Sequence, residues 1–230
     1  MAFDFDGIDD VVNHGALSGM STAFDQFSVA MWINPQTLAN LEPLWSKWGS
    51  NVGVLLQMSG AGGAYRVAFD NWTPLVTTST LLSTGAWSHI VVTYDGDNAT
   101  STNRVAIFHD GVKQNPTVAG AIPASAATTT DEFQVADMGP LGVDFADIQA
   151  AGLMVWAGSS SAWLSDAEAS QQFHSYRPVR TTNLVVWSPY NEMSALAHDY
   201  SGGGNHGTVT GATRVDGPPQ SGGHTSIMVP

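Results

Sequence analysis

The chain has 230 residues, no cysteine, and twenty acidic against seven basic residues, for a formal charge of −13. That charge repels phosphate backbones and anionic bilayers, which excludes nucleic acid and membrane surfaces as partners, and without thiols neither disulfides nor thiolate metal sites support the fold. Charged residues are only 12% of the chain and most of the acids are Asp, a turn former, so the composition is that of many strands and turns, at a length suited to one large all-β domain.

The opening Met1-Ala2-Phe3-Asp4-Phe5-Asp6 has neither a basic region nor an apolar run, so no signal peptide is read there. No segment approaches the ~18 apolar residues of a membrane helix. Ala2 to Phe5, a turn at Asp6-Gly7-Ile8-Asp9-Asp10 and Val11 to Asn13 read as an edge hairpin. Phe27 to Asn34 alternates Phe, Val, Met and Ile with Ser, Ala, Trp and Asn, the period of a strand, and closes on Pro35, which cannot donate to a ladder. Leu44 to Trp48, Val52 to Met58 and Tyr65 to Phe69, punctuated by Gly49 and Gly60-Ala61-Gly62-Gly63, imply a meander. Ala86 to Tyr94 is rich in β-branched and aromatic residues and ends at Asp95-Gly96; with the 27–34 strand it forms the middle of the fold.

Arg104 to His109, then Asp110-Gly111, then Val112-Lys113 is the strongest hairpin signal and predicts a two-residue type I′ turn. Residues 116–130 lack periodicity and read as a long loop, followed by strands at Glu132 to Asp137 and Gln149 to Trp156. Ser165-Asp166-Ala167-Glu168 is a capping box that opens one short helix ending before Pro178. Asn183 to Trp187 is a strand, Tyr200 to His206 a Gly-rich turn, and Gly207 to Thr210 the last strand. Residues 1–215 are expected to form one domain. Residues 216–230 are expected to form a C-terminal arm, in which Pro218-Pro219 and Gly222-Gly223 precede an apolar tip, Ile227, Met228 and Val229, expected to dock on a neighbouring copy or on a particle shell, the alternative being that it folds back on its own sandwich.

Five stretches, Phe5-Asp6-Gly7-Ile8-Asp9-Asp10-Val11-Val12, Phe27 to Pro35, Trp87 to Gly96, Val105 to Gly111 and Asp199 to Thr208, together resemble the laminin G-like, concanavalin A-like superfamily over roughly residues 3 to 210. The resemblance implies an all-β jelly-roll sandwich of two antiparallel sheets with one short helix. In many relatives the Asn-His-Gly-Thr stretch and its preceding Trp strand stand just before the Phe-Asp-Gly stretch. Here Leu184 to Thr210 comes last, as in a circular permutation, so that segment either fills its usual place or is given to a neighbouring subunit. This order, with no signal peptide, resembles virion-associated proteins of tailed phages. It implies a non-enzymatic structural or adhesive component of a phage particle, a capsid decoration or tail- or fibre-associated protein, found in the virion and in host cytoplasm during assembly, with other subunits or the virion shell as partners. The alternative is a carbohydrate-binding lectin module that takes a surface glycan, with calcium as its one cofactor.

Glycosidases of this fold carry Glu-x-Asp-x-(x)-Glu along one strand, since acid and nucleophile must flank one bond; none of Glu42, Glu132, Glu168 and Glu192 has an Asp two residues on. Gly202 to Gly207 matches G-x-G-x-x-G, but Thr-Val-Thr follows instead of a helix, so it is a turn. His89 and His109 sit in strand patterns and read as structural. The metal candidate is the aspartate cluster Asp4, Asp6, Asp9 and Asp10, because Ca²⁺ wants several oxygens converging from a turn, joined by Asp199 and Asn205 if the permuted strand lies beside it. It is not an EF-hand. Among the aromatics, Trp32, Trp87, Trp156 and Trp187 fall in strand patterns and are expected in the core, which leaves Trp72, before Thr73-Pro74, as the exposed sugar-stacking candidate.

Overall fold

The computed structural model describes residues 1–20, 24–60, 62–73, 75–127, 131–139, 144–158, 160–192 and 195–219. The tip residues Ile227, Met228 and Val229 lie outside the described residues.

Strands in chain order are β1 (Ala2–Asp6), β2 (Val11–Asn13), β3 (Gln26–Pro35), β4 (Pro43–Gly49), β5 (Val52–Met58), β6 (Tyr65–Phe69), β7 (Leu75–Thr77), β8 (Ser88–Asp95) and β9 (Val105–His109). They continue with β10 (Val112–Lys113), β11 (Thr117–Ala119), β12 (Phe133–Val135), β13 (Asp147–Ala157), then helix α1 (Asp166–Gln172), β14 (Leu184–Ser188), β15 (Leu196–Ala197), β16 (Gly207–Thr210) and β17 (Thr213–Val215). One sheet runs β10-β9-β8-β3-β13-β1-β17 with β14 also on β13, and the other runs β11-β7-β6-β5-β4-β12-β2-β16-β15. Neighbours in both sheets are antiparallel, and the two stack as the jelly-roll sandwich expected from the sequence.

The alternation in β3 sets the layers. Phe27, Val29, Met31 and Ile33 join the core between the sheets, with Val54, Leu56 and Val67 of the facing sheet. Ala30 and Trp32 point the other way, yet all ten residues of the strand are buried. A second layer covers the outer face: Leu164 and Ala169 of the helical segment pack on Ala30, Val91 and Trp156, while Phe173 and Tyr176 pack on Trp32. Full burial of a large apolar side chain such as Leu164 or Val91 stabilises the fold by about 1.5–3 kcal/mol.

The hairpin expected from residues 2–13 is not formed. β1 lies between β13 and β17 in one sheet, whereas β2 lies between β12 and β16 in the other. The turn carries the chain across the sandwich. Gly7 takes φ +73, Asp10 Oδ2 accepts from the Asp6 amide at 3.0 Å and Asp6 Oδ1 accepts from the Ile8 amide at 2.9 Å. The loop expected over 116–130 is also interrupted, because β11 pairs with β7 and Ala126 bridges Phe24. A further strand, β17, follows the last one read from the sequence and pairs with β1. The segment 184–210 pairs within the same chain, β14 on β13 and β16 on β2.

Candidate functional site

Helix α1 begins as the capping box requires: Ser165 Oγ accepts from the Glu168 amide at 3.4 Å and Glu168 Oε2 accepts from the Ser165 amide at 2.9 Å. It ends on Gln172, which is fully buried and holds the next turn. Its Nε2 donates to Ser175 O at 2.8 Å and to Arg177 O at 3.0 Å, and its Oε1 accepts from the Val179 amide at 2.9 Å. Tyr176 and Arg177 ride on that turn. The Tyr176 ring stacks on Trp32 at 5.8 Å and 12°, and its hydroxyl, pushed up in pKa by burial, donates to Pro218 O at 3.3 Å.

The opposite wall is built from β14 and the loop after it. Trp187 stands opposite Met154 and so faces outward with it. Its carbonyl accepts from the Tyr200 amide at 2.8 Å, and its own amide donates to Asp199 Oδ1 at 2.9 Å. Asp199 also accepts from the Ser201 amide and hydroxyl, both at 2.8 Å, and from the Asn205 amide at 3.0 Å. Burial alone raises its pKa, but these donors outweigh that and hold it below the usual carboxylate value. With its oxygens spent on the loop, Asp199 works as a scaffold for Tyr200. That ring is 54% exposed, lies 5.9 Å from Trp187, and its hydroxyl donates to Glu192.

Between these walls is a cleft of about 460 Å³, whose lining includes Tyr176, Arg177, Trp187, Asn191 and Tyr200. No Asp or Glu is among its described lining residues. The Trp187 indole N–H is buried without an acceptor among the described residues. The arrangement offers aromatic faces, an amide and a guanidinium, which suits a polar ligand with apolar faces.

The aspartate turn lies elsewhere. Asp6, Asp9 and Asp10 bring one carboxylate oxygen each within 4.8 Å of one another, an all-oxygen set that fits a hard cation. Sequence reasoning missed Asp147, which the β1–β13 register puts opposite Asp6; no local motif marks it. Burial and then the charges of Asp6, Asp9 and Asp4 raise the pKa of Asp10, and burial followed by Asp4 and Asp6 raises that of Asp147. Gly211 borders the turn, where a Cβ would overlap Asp10 Oδ1. Asp199 and Asn205 are not in this group: Asn205 donates to Val185 O at 2.7 Å and its carbonyl meets His14 Nδ1 at 2.9 Å. Trp72 is half-buried, with its ring 5.0 Å from that of Trp48. Trp187, expected in the core from its strand pattern, is half-buried: it packs against the outer cluster and also lines the cleft. The missed signal was Tyr200, an aromatic in a Gly-rich turn with no strand to bury it.

The two-sheet sandwich places the chain among jelly-roll proteins. Residues 6–147 match the model of the concanavalin A-like lectin/glucanase superfamily, and the chain belongs to it. No curated protein matches it significantly. Among solved structures it is similar to a candidate carbohydrate-binding protein from Bacteroides ovatus (TM-score 0.69, 16% identity, covering 92% of this chain and 58% of that one). It is also similar to a heptameric SAP-like pentraxin from Limulus polyphemus (TM-score 0.56, 14% identity, 86% and 91% covered). A third likeness is to domains LG4-5 of the mouse laminin alpha1 chain (TM-score 0.51, 13% identity, 71% and 44% covered). The chain thus spans little more than half of the Bacteroides protein, and at these identities the likeness is one of fold. Among the described residues no helix is long and apolar enough to cross a membrane.

Proposed function

We propose that the chain is a non-catalytic carbohydrate-binding domain that holds a glycan in the cleft between Tyr176, Trp187 and Tyr200. The observation that carries this is the exposed Tyr200 ring beside Trp187 over a cleft with polar Arg177 and Asn191. Sugar rings present C–H faces that stack on aromatics while their hydroxyls take hydrogen bonds from amide and guanidinium groups. Membership of a lectin-containing superfamily and the description of the Bacteroides relative support the same reading. Most glycosidases need two carboxyl groups flanking the bond they cleave, and no Asp or Glu is among the described lining residues, which favours binding without hydrolysis.

A glycan array followed by titration calorimetry tests this. Selective, saturable binding is expected, and Tyr200→Ala should weaken it about tenfold, the worth of one stacking contact, with no change in melting temperature. An array on which nothing binds overturns the proposal. Calcium at Asp6, Asp9 and Asp10 belongs to the same proposal as a support of the fold remote from the sugar. The phage-particle reading, with Ile227, Met228 and Val229 as an assembly tip, rests on residue order alone, and a mass-spectrometric inventory of purified particles tests it.

A further inference from the structure

The cleft contains a cation that the fold does not use. Of the seven Lys and Arg residues, Lys113 pairs with Asp166 at 2.7 Å and Arg180 with Glu168 at 3.3 Å. Arg104 donates to Ile122 O at 2.6 Å, and Arg214 donates to Tyr190 O at 3.2 Å while stacking 3.4 Å over Phe3. Lys47 donates to Asp131 O, and Arg66 meets the Gln57 amide oxygen at 2.8 Å once that amide is turned to face it. Arg177 differs. Its guanidinium makes no hydrogen bond or ion pair with any described residue, it is exposed, and it lines the aromatic cleft.

A chain of charge −13 has acids to spare for pairing, so a guanidinium left open at a cleft is there for a partner outside the chain. Its backbone is not loose. The buried Gln172 amide donates to Arg177 O at 3.0 Å and Ser175 Oγ accepts from the Arg177 amide at 3.1 Å, so the turn is fixed and only the side chain has to order on binding. We infer that the cleft selects a carboxylate-bearing sugar, with Arg177 as the anion anchor and Tyr200 and Trp187 as the stacking faces. A planar guanidinium fork matches a carboxylate in a bidentate way that a neutral hydroxyl does not. The net charge also limits the ligand. A long polyanion would be repelled by the molecule as a whole, so the carboxylate is an isolated one on an otherwise neutral glycan, of the uronic or sialic acid kind.

This inference rests on the glycan-binding reading, and the test separates the two. Calorimetry would use a trisaccharide bearing one glucuronic acid and its carboxyl-reduced counterpart, 3′-sialyllactose and lactose, and sulfated lactose. In at least one carboxylate/neutral pair the acid should bind ten times or more tighter, and the pair that does so identifies the source of the carboxylate. Arg177→Gln should bring that ratio below about two, while Tyr200→Ala weakens both members of the pair. Equal binding of acid and neutral partner by the native chain, a ratio that survives Arg177→Gln, or tighter binding of the sulfate ester than of either carboxylate overturns the inference and leaves glycan binding standing. Failure to bind any sugar overturns the glycan-binding reading itself.

Discussion

His14 and His89 are buried without charge. Burial lowers the pKa of His14 to about 4, and burial followed by the charges of His109 and His174 lowers that of His89 to about 3, against an unfolded value near 6.5. A folded-state pKa below the unfolded one means that the unfolded chain takes up protons first. Stability is therefore present above pH 6.5 and lost as pH falls from 6.5 towards 4 and then 3, on the order of 3 kcal/mol for His14 and roughly 5 kcal/mol for His89. Asp137 runs the other way. Burial raises its pKa to about 6, so its contribution is present below the usual carboxylate value and is lost as pH rises through 6. The two histidines together outweigh it, and urea midpoints should fall between pH 6.5 and 4. His89 lies beside the contacting rings of Trp32 and Phe173, at 5.1 and 6.0 Å, and its Nδ1 has no partner among the described residues. His89→Phe should then keep or raise the midpoint at pH 7 and flatten the acid side of the profile; an unchanged slope would show that His89 is not the acid-sensitive group.

The Asp110-Gly111 turn is a second case in which one residue decides. Both take positive φ, +49 and +76, as a type I′ turn requires, and a Cβ on Gly111 would meet Ser170 O at 3.1 Å and Phe173 Cβ at 3.2 Å. Gly111→Val should destabilise by at least the 1–2 kcal/mol roughly charged for a left-handed side chain. Thermal melts would show it as a drop of several degrees.

At the scale of elements, what the sequence shows and what it hides divide along a physical line. Long strands with period-two alternation, such as β3 and β8, and the capping box of α1 were legible because each signal is local. Sheet membership was not, because alternation says which residues face a core and not which strand lies alongside. β1 and β2 therefore read as a hairpin although Asp6 to Asp10 carries the chain from one sheet to the other. β11, β15 and β17 have two or three residues each and no apolar pattern, so only their partners define them. The cleft was hidden for a related reason. Tyr176, Trp187 and Tyr200 come from three separate segments that only tertiary packing unites. Of these segments, the one carrying Tyr176 and Arg177 hangs on α1. Ser165→Ala removes the cap and should cost about 1 kcal/mol of stability, measured by urea unfolding; because Gln172 lies in the last turn, glycan affinity should weaken less than stability.

At the scale of the whole molecule, charge is the unbalanced quantity. Asp4, Asp6, Asp9, Asp10 and Asp147 gather on two neighbouring strands and one turn, and burial with mutual repulsion raises the pKa values of Asp10 and Asp147. A carboxyl whose folded pKa is raised contributes most below its unfolded value and loses that contribution as pH rises through the folded one, so at neutral pH this end of the sandwich opposes folding. Two remedies differ in kind. Salt screens the exposed acids over the whole surface, and melting temperature at pH 7.5 should climb with sodium chloride up to a few hundred millimolar. A cation held by Asp6, Asp9 and Asp10 would act at that turn alone and at much lower concentration, stabilising in proportion to the logarithm of its excess over its dissociation constant. Millimolar calcium chloride should therefore raise the melting temperature beyond sodium chloride of equal ionic strength. Asp9→Asn, at an exposed position outside the core, should abolish that excess while slightly raising the melting temperature in low salt through relief of repulsion, an effect of some tenths of a kcal/mol. If calcium and sodium chloride of equal ionic strength give the same melting temperature, the turn is only a knot of repelling charges and the calcium proposal fails.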